Sequence, residues 1–194
     1  MTAKIKLNAA SGGGSFSLQA PSSSANTRVM TLPDTADGTI LTTTNPKTGN
    51  VIQVVSAVAT SVVSSTDVSP VDTGLSASIT PSATSSKILV IVSQSMMTRL
   101  TGGGGWAVIN YDLVRGSTVL MDGVDNIALR VAAHNPYTLV AAQVNLTYLD
   151  SPNTTSSTTY KTQAGRGNSG GSSMTWKAQD NSSPSTITLL EVAG

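Results

Sequence analysis

Apolar and polar residues alternate along most of this chain, and that period of two commits it to strands. In 138–148, TLVAAQVNLTY, residues Val140, Ala142, Val144, Leu146 and Tyr148 fall on one face, while Gln143, Asn145 and Thr147 fall on the other. Ile109, Tyr111 and Leu113 repeat the pattern, and Arg115-Gly116-Ser117 reads as a tight turn into Thr118-Val119-Leu120. Residues 86–95, SKILVIVSQS, are apolar on both faces, which predicts a central strand. Further strands are predicted at 51–63, 74–80, 155–162, 172–178 and 185–192. Only 122–134, DGVDNIALRVAAH, has helical character, and a turn at Asp122-Gly123 followed by a strand over 127–132 suits it better. Strands about 8–15 residues apart, separated by Gly, Ser, Asn and Pro, predict an all-β fold, an antiparallel jelly-roll sandwich.

The first 45 residues are of another kind. Their apolar residues are thin: Phe16 and Leu18 alternate with Ser15, Ser17 and Gln19, then come Val29, Met30 and Leu32, then Ile40 and Leu41. Gly, Ser, Pro, Asn and Asp fill the gaps. Short extended pieces with no partner of their own are at best marginal in water. The expectation is an arm over 1–49, held by other copies of the chain or by a larger assembly, ahead of a domain over 50–194. Asn45-Pro46-Lys47-Thr48-Gly49 is the turn-rich boundary.

Charge points the same way. Only 11% of residues are charged, under half the usual fraction of about 25%. Ser and Thr supply the polarity instead, with 55 of the 194 residues. Such a surface belongs either to a plain all-β domain or to one covered in an oligomer, and the arm favours the second. A net charge of +1, from scattered Lys and Arg, gives no footprint for nucleic acid. The longest apolar run, Ile88 to Val92, is far too short to span a bilayer, so membrane insertion is not expected. The opening MTAKIKLNAASGGG has no apolar stretch of the kind a secretory signal needs. The absence of Cys removes disulfides and thiolate metal sites.

A search for chemistry assigns no catalytic residue, metal or cofactor. His134 is the single histidine, before Asn135-Pro136, and reads as a surface or loop residue. Asp122-Gly123-Val124-Asp125-Asn126 offers oxygens to a hard cation, but without the spacing of a calcium loop. Glycoside cleavage needs two placed carboxylates, and nothing selects a pair among Asp112, Asp150, Asp180 and Glu191. Glu191, inside the last apolar strand, reads as structural, at the domain edge or a subunit interface. TGGGGW lacks the Lys-Ser/Thr of a phosphate loop, so Gly102–Gly105 reads as a flexible tip beside Trp106. Gly165–Gly171 reads as a second Gly-rich loop. The glycosylation patterns at Asn145, Asn153 and Asn181 are what chance gives a Ser/Thr-rich chain.

The arm segment GSFSLQAPSSSANTRVMTLPDTADGTILT resembles a module of bacteriophage fibre proteins, in which it precedes or links trimeric β-domains. TGLSASITPSATSSKILVIVSQS and SPSTITLLEVAG resemble strands of the small jelly-roll domains in such fibres. Those domains are similar to complement globular-head and tumour-necrosis-factor-like trimers. The resemblance covers about residues 14–42, 74–95 and 184–194 and carries no catalytic residues. It implies a homotrimeric, non-enzymatic structural protein of the virion: a short fibre anchored by its arm and touching the host surface with its domain. A head fibre, decoration or cement protein of the capsid is the alternative. Ile5, Leu7, Phe16 and Leu18 are the expected anchors to another virion protein, a tail adaptor or the capsid. Val29, Leu32, Ile40 and Leu41 are the expected trimer contacts. Arg99, Trp106 and Arg166, in loops at 99–106 and 165–172, are the expected contacts to a host glycan or protein. A polysaccharide depolymerase would need the missing carboxylate pair, and a free carbohydrate-binding module leaves the arm unexplained.

Overall fold

The computed structural model describes residues 4–8, 11–19, 23, 25, 46–101, 106–123, 129–132, 137–169 and 173–194. The backbone forms two units, Met1–Ile40 and Leu41–Gly194. In the first, β1 (Lys4–Asn8) pairs antiparallel with β2 (Ser15–Gln19). The arm therefore does have a partner within itself, contrary to the expectation from its thin apolar content. Gly12 and Gly13, both at positive φ, supply the backbone freedom for reversing the chain between the two strands.

The second unit is the expected sandwich. Its strands are β3 (Val51–Ala59), β4 (Val63–Ser65), β5 (Val71–Ile79), β6 (Lys87–Thr101), β7 (Trp106–Arg115), β8 (Thr118–Met121), β9 (Leu129–Ala132), β10 (Tyr137–Asp150), β11 (Thr158–Ser169), β12 (Ser173–Ala178) and β13 (Ser185–Val192). One sheet runs β3-β13-β6-β10, and the fifteen-residue β6 also pairs β12, which carries β4. The other runs β5-β11-β7-β8, with β9 on the same side of β7 as β8. Leaving aside β4, β9 and β12, the other eight strands interleave as 1-8-3-6 and 2-7-4-5, the antiparallel winding of a jelly roll. All pairings are antiparallel, so the period of two survives as one buried face per strand.

Between the sheets lie Ile88, Val90 and Val92 of β6, Val144 and Leu146 of β10, Ile187 and Leu189 of β13, and Leu75, Tyr111, Leu113 and Tyr160 of the facing sheet. Val140 packs against this core only partly buried. Ala142, on the same face, is exposed. β6 is central, as its sequence predicts, but its two faces differ: Ile88 is buried, while Ile91 is 41% exposed.

Many polar groups inside the sandwich are paired, while Thr98 Oγ1, Trp176 Nε1 and Arg166 Nε are buried without a hydrogen-bond partner among the described residues. Gln94, in the apolar row of β6, accepts from the hydroxyls of Tyr111 and Thr162, and Thr162 meets Thr73. With the Gln179 amide turned to match its neighbours, the Gln94 amide donates to Gln179 Oε1 at 2.9 Å and Gln179 Nε2 donates to Thr73 O at 3.0 Å. Burial raises the Tyr111 hydroxyl pKa well above the ordinary tyrosine value. At the other end Arg115 Nη1 donates to both Asp150 oxygens, at 2.8 and 2.7 Å, and Tyr160 donates to Asp150 Oδ2 at 2.6 Å.

Glu191 is 1% exposed, and its Oε1 accepts from Ser82 N at 2.6 Å, Ser82 Oγ at 2.6 Å and Ser86 Oγ at 2.8 Å. Burial pushes this carboxyl up, but the three donors outweigh it and hold it below the ordinary value. Its role is to fasten the 82–86 turn to the last strand. Asp112 is raised instead, chiefly by burial and also by Asp122, against the opposing bond from Gly123 N at 2.9 Å. A Cβ at Gly123 would strike the Tyr111 backbone, so only glycine closes this turn.

Candidate assembly and contact surfaces

The hairpin register sets Ile5 opposite Leu18 and Leu7 opposite Phe16, so the four expected anchors line up as two cross-strand pairs. Ile5, Leu7 and Leu18 are exposed. Lys6 and Ser17, at the alternate positions, turn the other way. The four expected trimer residues, Val29, Leu32, Ile40 and Leu41, lie outside the described residues, as do His134 and Asp125.

The two expected host-contact loops are largely strand. Residues 99–101 complete β6 and 165–169 belong to β11, while 102–105 and 170–172 lie outside the described residues. The physical reason is that β6 is flanked on both sides to its end: Arg99 is paired with Leu139 on β10 and with Thr175 on β12. A strand with two neighbours holds its extended backbone. Arg99 is exposed on the outside of its sheet. Arg166 pairs with Ile109 on the other sheet and lies in the same row of β11 as the buried Tyr160, Thr162 and Ala164. Its backbone N donates to Asp67 O at 2.7 Å, and its Nε is buried without a partner. The two arginines thus belong to different sheets. Trp106 opens β7, the strand that carries Ile109.

The surface that sequence reasoning missed is the outside of the β3-β13-β6-β10 sheet. Three rows cross it. Val54, Leu190, Leu89 and Leu149 are successive neighbours in the first. Ser56, Thr188, Ile91 and Thr147 form the second, and Val58, Thr186, Ser93 and Asn145 the third. None of the twelve carries a charge, and Val54 and Val58 are 59% and 64% exposed. The signal was in 86–95: a strand apolar on both faces needs cover on both, and among the described residues of the sandwich only one face of β6 is covered.

Each candidate carboxylate has a structural tie. Asp150 is held by Arg115 and Tyr160, Glu191 by Ser82 and Ser86, Asp112 by Gly123 N, and Asp180 by Lys177 at 3.0 Å. Among the described residues, no group of three or more His, Asp and Glu is placed to hold a metal ion.

No protein-family model matches the chain, and no curated protein matches it. It is similar to solved chains of infectious bursal disease virus. The Gx strain structure is 16% identical with a TM-score of 0.33, over 97% of this chain and 46% of that one. The structure of derived T=1 particles is 15% identical, TM-score 0.33, over 92% and 45%. The VP2 subviral particle is 14% identical, TM-score 0.32, over 94% and 48%. The chain spans just under half the length of these chains, and TM-scores this low bear on neither fold nor function.

Proposed function

We propose that this chain is a structural subunit of a virus particle. It assembles as a homotrimer through the outside of the β3-β13-β6-β10 sheet, with the N-terminal arm anchoring the trimer and the domain facing the host. The observation that carries this reading is the three uncharged rows on the outer face, between Lys87 and Arg99 of β6, with Leu89, Ile91, Val54 and Val58 in them. Exposed apolar groups grouped on one face are what subunit contacts are made of. Three copies around an axis close a ring, so the contact consumes itself and does not polymerise. The amphipathic hairpin supports the anchoring role: a pair of five-residue strands needs a partner for its apolar side. The resemblance of 14–42 to phage fibre arms supports the particle and the bacterial host.

The test has two arms. Sedimentation of the full chain should give three times the monomer mass of 19.7 kDa. Antibody labelling of purified particles should mark the chain on the virion, at the tail for a fibre or over the head for a decoration protein. A monomer at high concentration removes the trimer, and unlabelled particles remove the virion role.

A further inference from the structure

Most strands at the borders of the two sheets carry devices that discourage further pairing. β4, β8 and β9 have only three or four residues. β5 bears the exposed Asp72 and meets a register shift against β11. β3 meets one against β13. β10 has none of these devices. Its fourteen residues follow fourteen successive partners on β6 without a shift. It contains no Pro, Lys or Arg, and its one carboxylate, Asp150, is its last residue and is tied to Arg115. Among the described residues its other edge pairs with nothing. A long, regular, uncharged edge is a template for another strand.

We propose that β10 pairs antiparallel with β10 of a second copy, across a two-fold axis at Val144, so that two sheets run on as one. The sequence of the strand is self-complementary in this register. On the outer face Leu139 meets Leu149 of the second copy, Ala141 meets Thr147, and Gln143 meets Asn145. Leu139 and Leu149 are 46% and 51% exposed, so the pairing covers both ends of the edge. On the inner face Val140 meets Tyr148, Val144 meets its own copy, and Leu146 meets Ala142, the inner-face residue its own chain leaves exposed. Amide faces amide at the centre, apolar faces apolar at the ends, and no charge is buried.

Neighbouring registers lose this match. An axis at Gln143 sets Leu139 against Thr147, and one at Asn145 sets Val140 against Asp150. An axis between residues opposes inner to outer side chains, which the pleat forbids. The contact is isologous and goes beyond the three-fold contact proposed above: if both form, trimers join in pairs or nets through their edges.

The native chain has no Cys, which makes the test specific. In a full-length Leu139→Cys/Leu149→Cys variant the two positions lie about 33 Å apart along one strand, too far for an internal bridge. Mild oxidation should give a covalent dimer, with peptide mapping locating a 139–149 disulfide. Gln143→Lys/Asn145→Lys on that background places like charges opposite each other and should cut the cross-linked yield at least about tenfold, with the circular dichroism spectrum unchanged. In the unsubstituted chain, hydrogen exchange should slow in β10 as concentration rises.

No 139–149 disulfide, a link in another register, an unaffected lysine variant, or exchange in β10 independent of concentration overturns the proposal. Its failure is distinguishable from failure of the trimer. A trimer without the disulfide keeps the three-fold reading alone, and a cross-linked dimer with no three-fold species keeps the edge contact alone.

Discussion

The outer faces of the two sheets are built to different rules. On the β5–β11 surface, Lys161 meets Asp72 at 2.8 Å, Gln163 donates to Asp72 at 2.6 Å, and Ser78 meets Thr159 at 2.7 Å. Those groups answer one another within the chain. The opposite surface has three uncharged rows, and their apolar members, Val54, Leu190, Leu89, Leu149, Ile91 and Val58, find no counterpart outside their own sheet among the described residues. Both sheets share one core and one winding, so packing does not dictate the difference. It teaches that low overall charge in this chain is not spread evenly. The charge is missing where a subunit contact would exclude water, and present where the surface meets solvent.

The sharpest way to break this comparison is to place a charge on each face in turn. Ile91→Lys puts an ammonium in the middle of the uncharged rows and should weaken association at least about 100-fold, as burying an unpaired charge costs roughly 3 kcal/mol or more. Ser76→Lys, on the outside of β5, should leave assembly unchanged. Analytical ultracentrifugation of both variants decides. If they associate alike, the uncharged face is not the contact.

At one end of the sandwich, Arg115, Asp150 and Tyr160 form a closed polar set. Arg115→Ala leaves Asp150 buried with Tyr160 as its one remaining donor among the described residues. Urea denaturation should show a loss of about 2–3 kcal/mol, toward the lower end for a buried pair because Arg115 is partly exposed. A loss under about 0.5 kcal/mol would mean that water already serves Asp150, and that the interior is as forgiving as the β5–β11 surface.

Much of this architecture was legible in the sequence, for physical reasons that vary by element. Val144 and Leu146 announce a half-buried strand because a period of two has no other stable reading. The turn at Gly116-Ser117, with Gly116 at φ 57°, follows from its residues alone. The loops predicted around Arg99 and Arg166 failed because glycine content reports permissiveness, not conformation. A β6 with neighbours on both sides holds its strand through Thr101, and Gly165 and Gly167 sit in β11 where a Cβ would strike Val68 O and Asn110. The hairpin of the arm was missed because its pairing is carried by backbone bonds between short, mixed strands, which leave almost no trace in composition. The uncharged face was visible only as a strand apolar on both sides, a pattern shared by any covered sheet.

The Glu191 cage sharpens the comparison through pH. Its carboxyl is held below the ordinary value in the folded chain, so its stabilising contribution is present above the unfolded value of about 4.3 and is lost as pH falls through the folded value. Asp112, raised by burial, runs oppositely, since its folded form takes up a proton sooner than its unfolded form. Glu191→Gln should therefore lower stability at pH 7 and flatten the decline on the acid side, read as denaturation midpoints between about pH 3 and 7. An unchanged slope would remove Glu191 as the acid-sensitive fastening and leave the decline to the exposed carboxylates.

The smallest effect belongs to the charged surface itself. Lys161 and Asp72 form their pair with Asp72 about half exposed, and the pKa of Asp72 falls only modestly because burial, its largest influence, opposes the bonds from Lys161 and Gln163. Exposed pairs contribute about 0.2–1 kcal/mol, and less as salt screens them. Lys161→Ala should accordingly shift stability by no more than about 0.5 kcal/mol at moderate salt, with the shift shrinking further at 1 M salt. Association should not change at all. That pairing of results carries weight because the same chain should lose assembly from one lysine added at Ile91 and lose nothing from one lysine removed at Lys161. If Lys161→Ala weakens assembly instead, the β5–β11 surface is itself a contact, and the distribution of charge between the two faces reports something other than which one meets solvent.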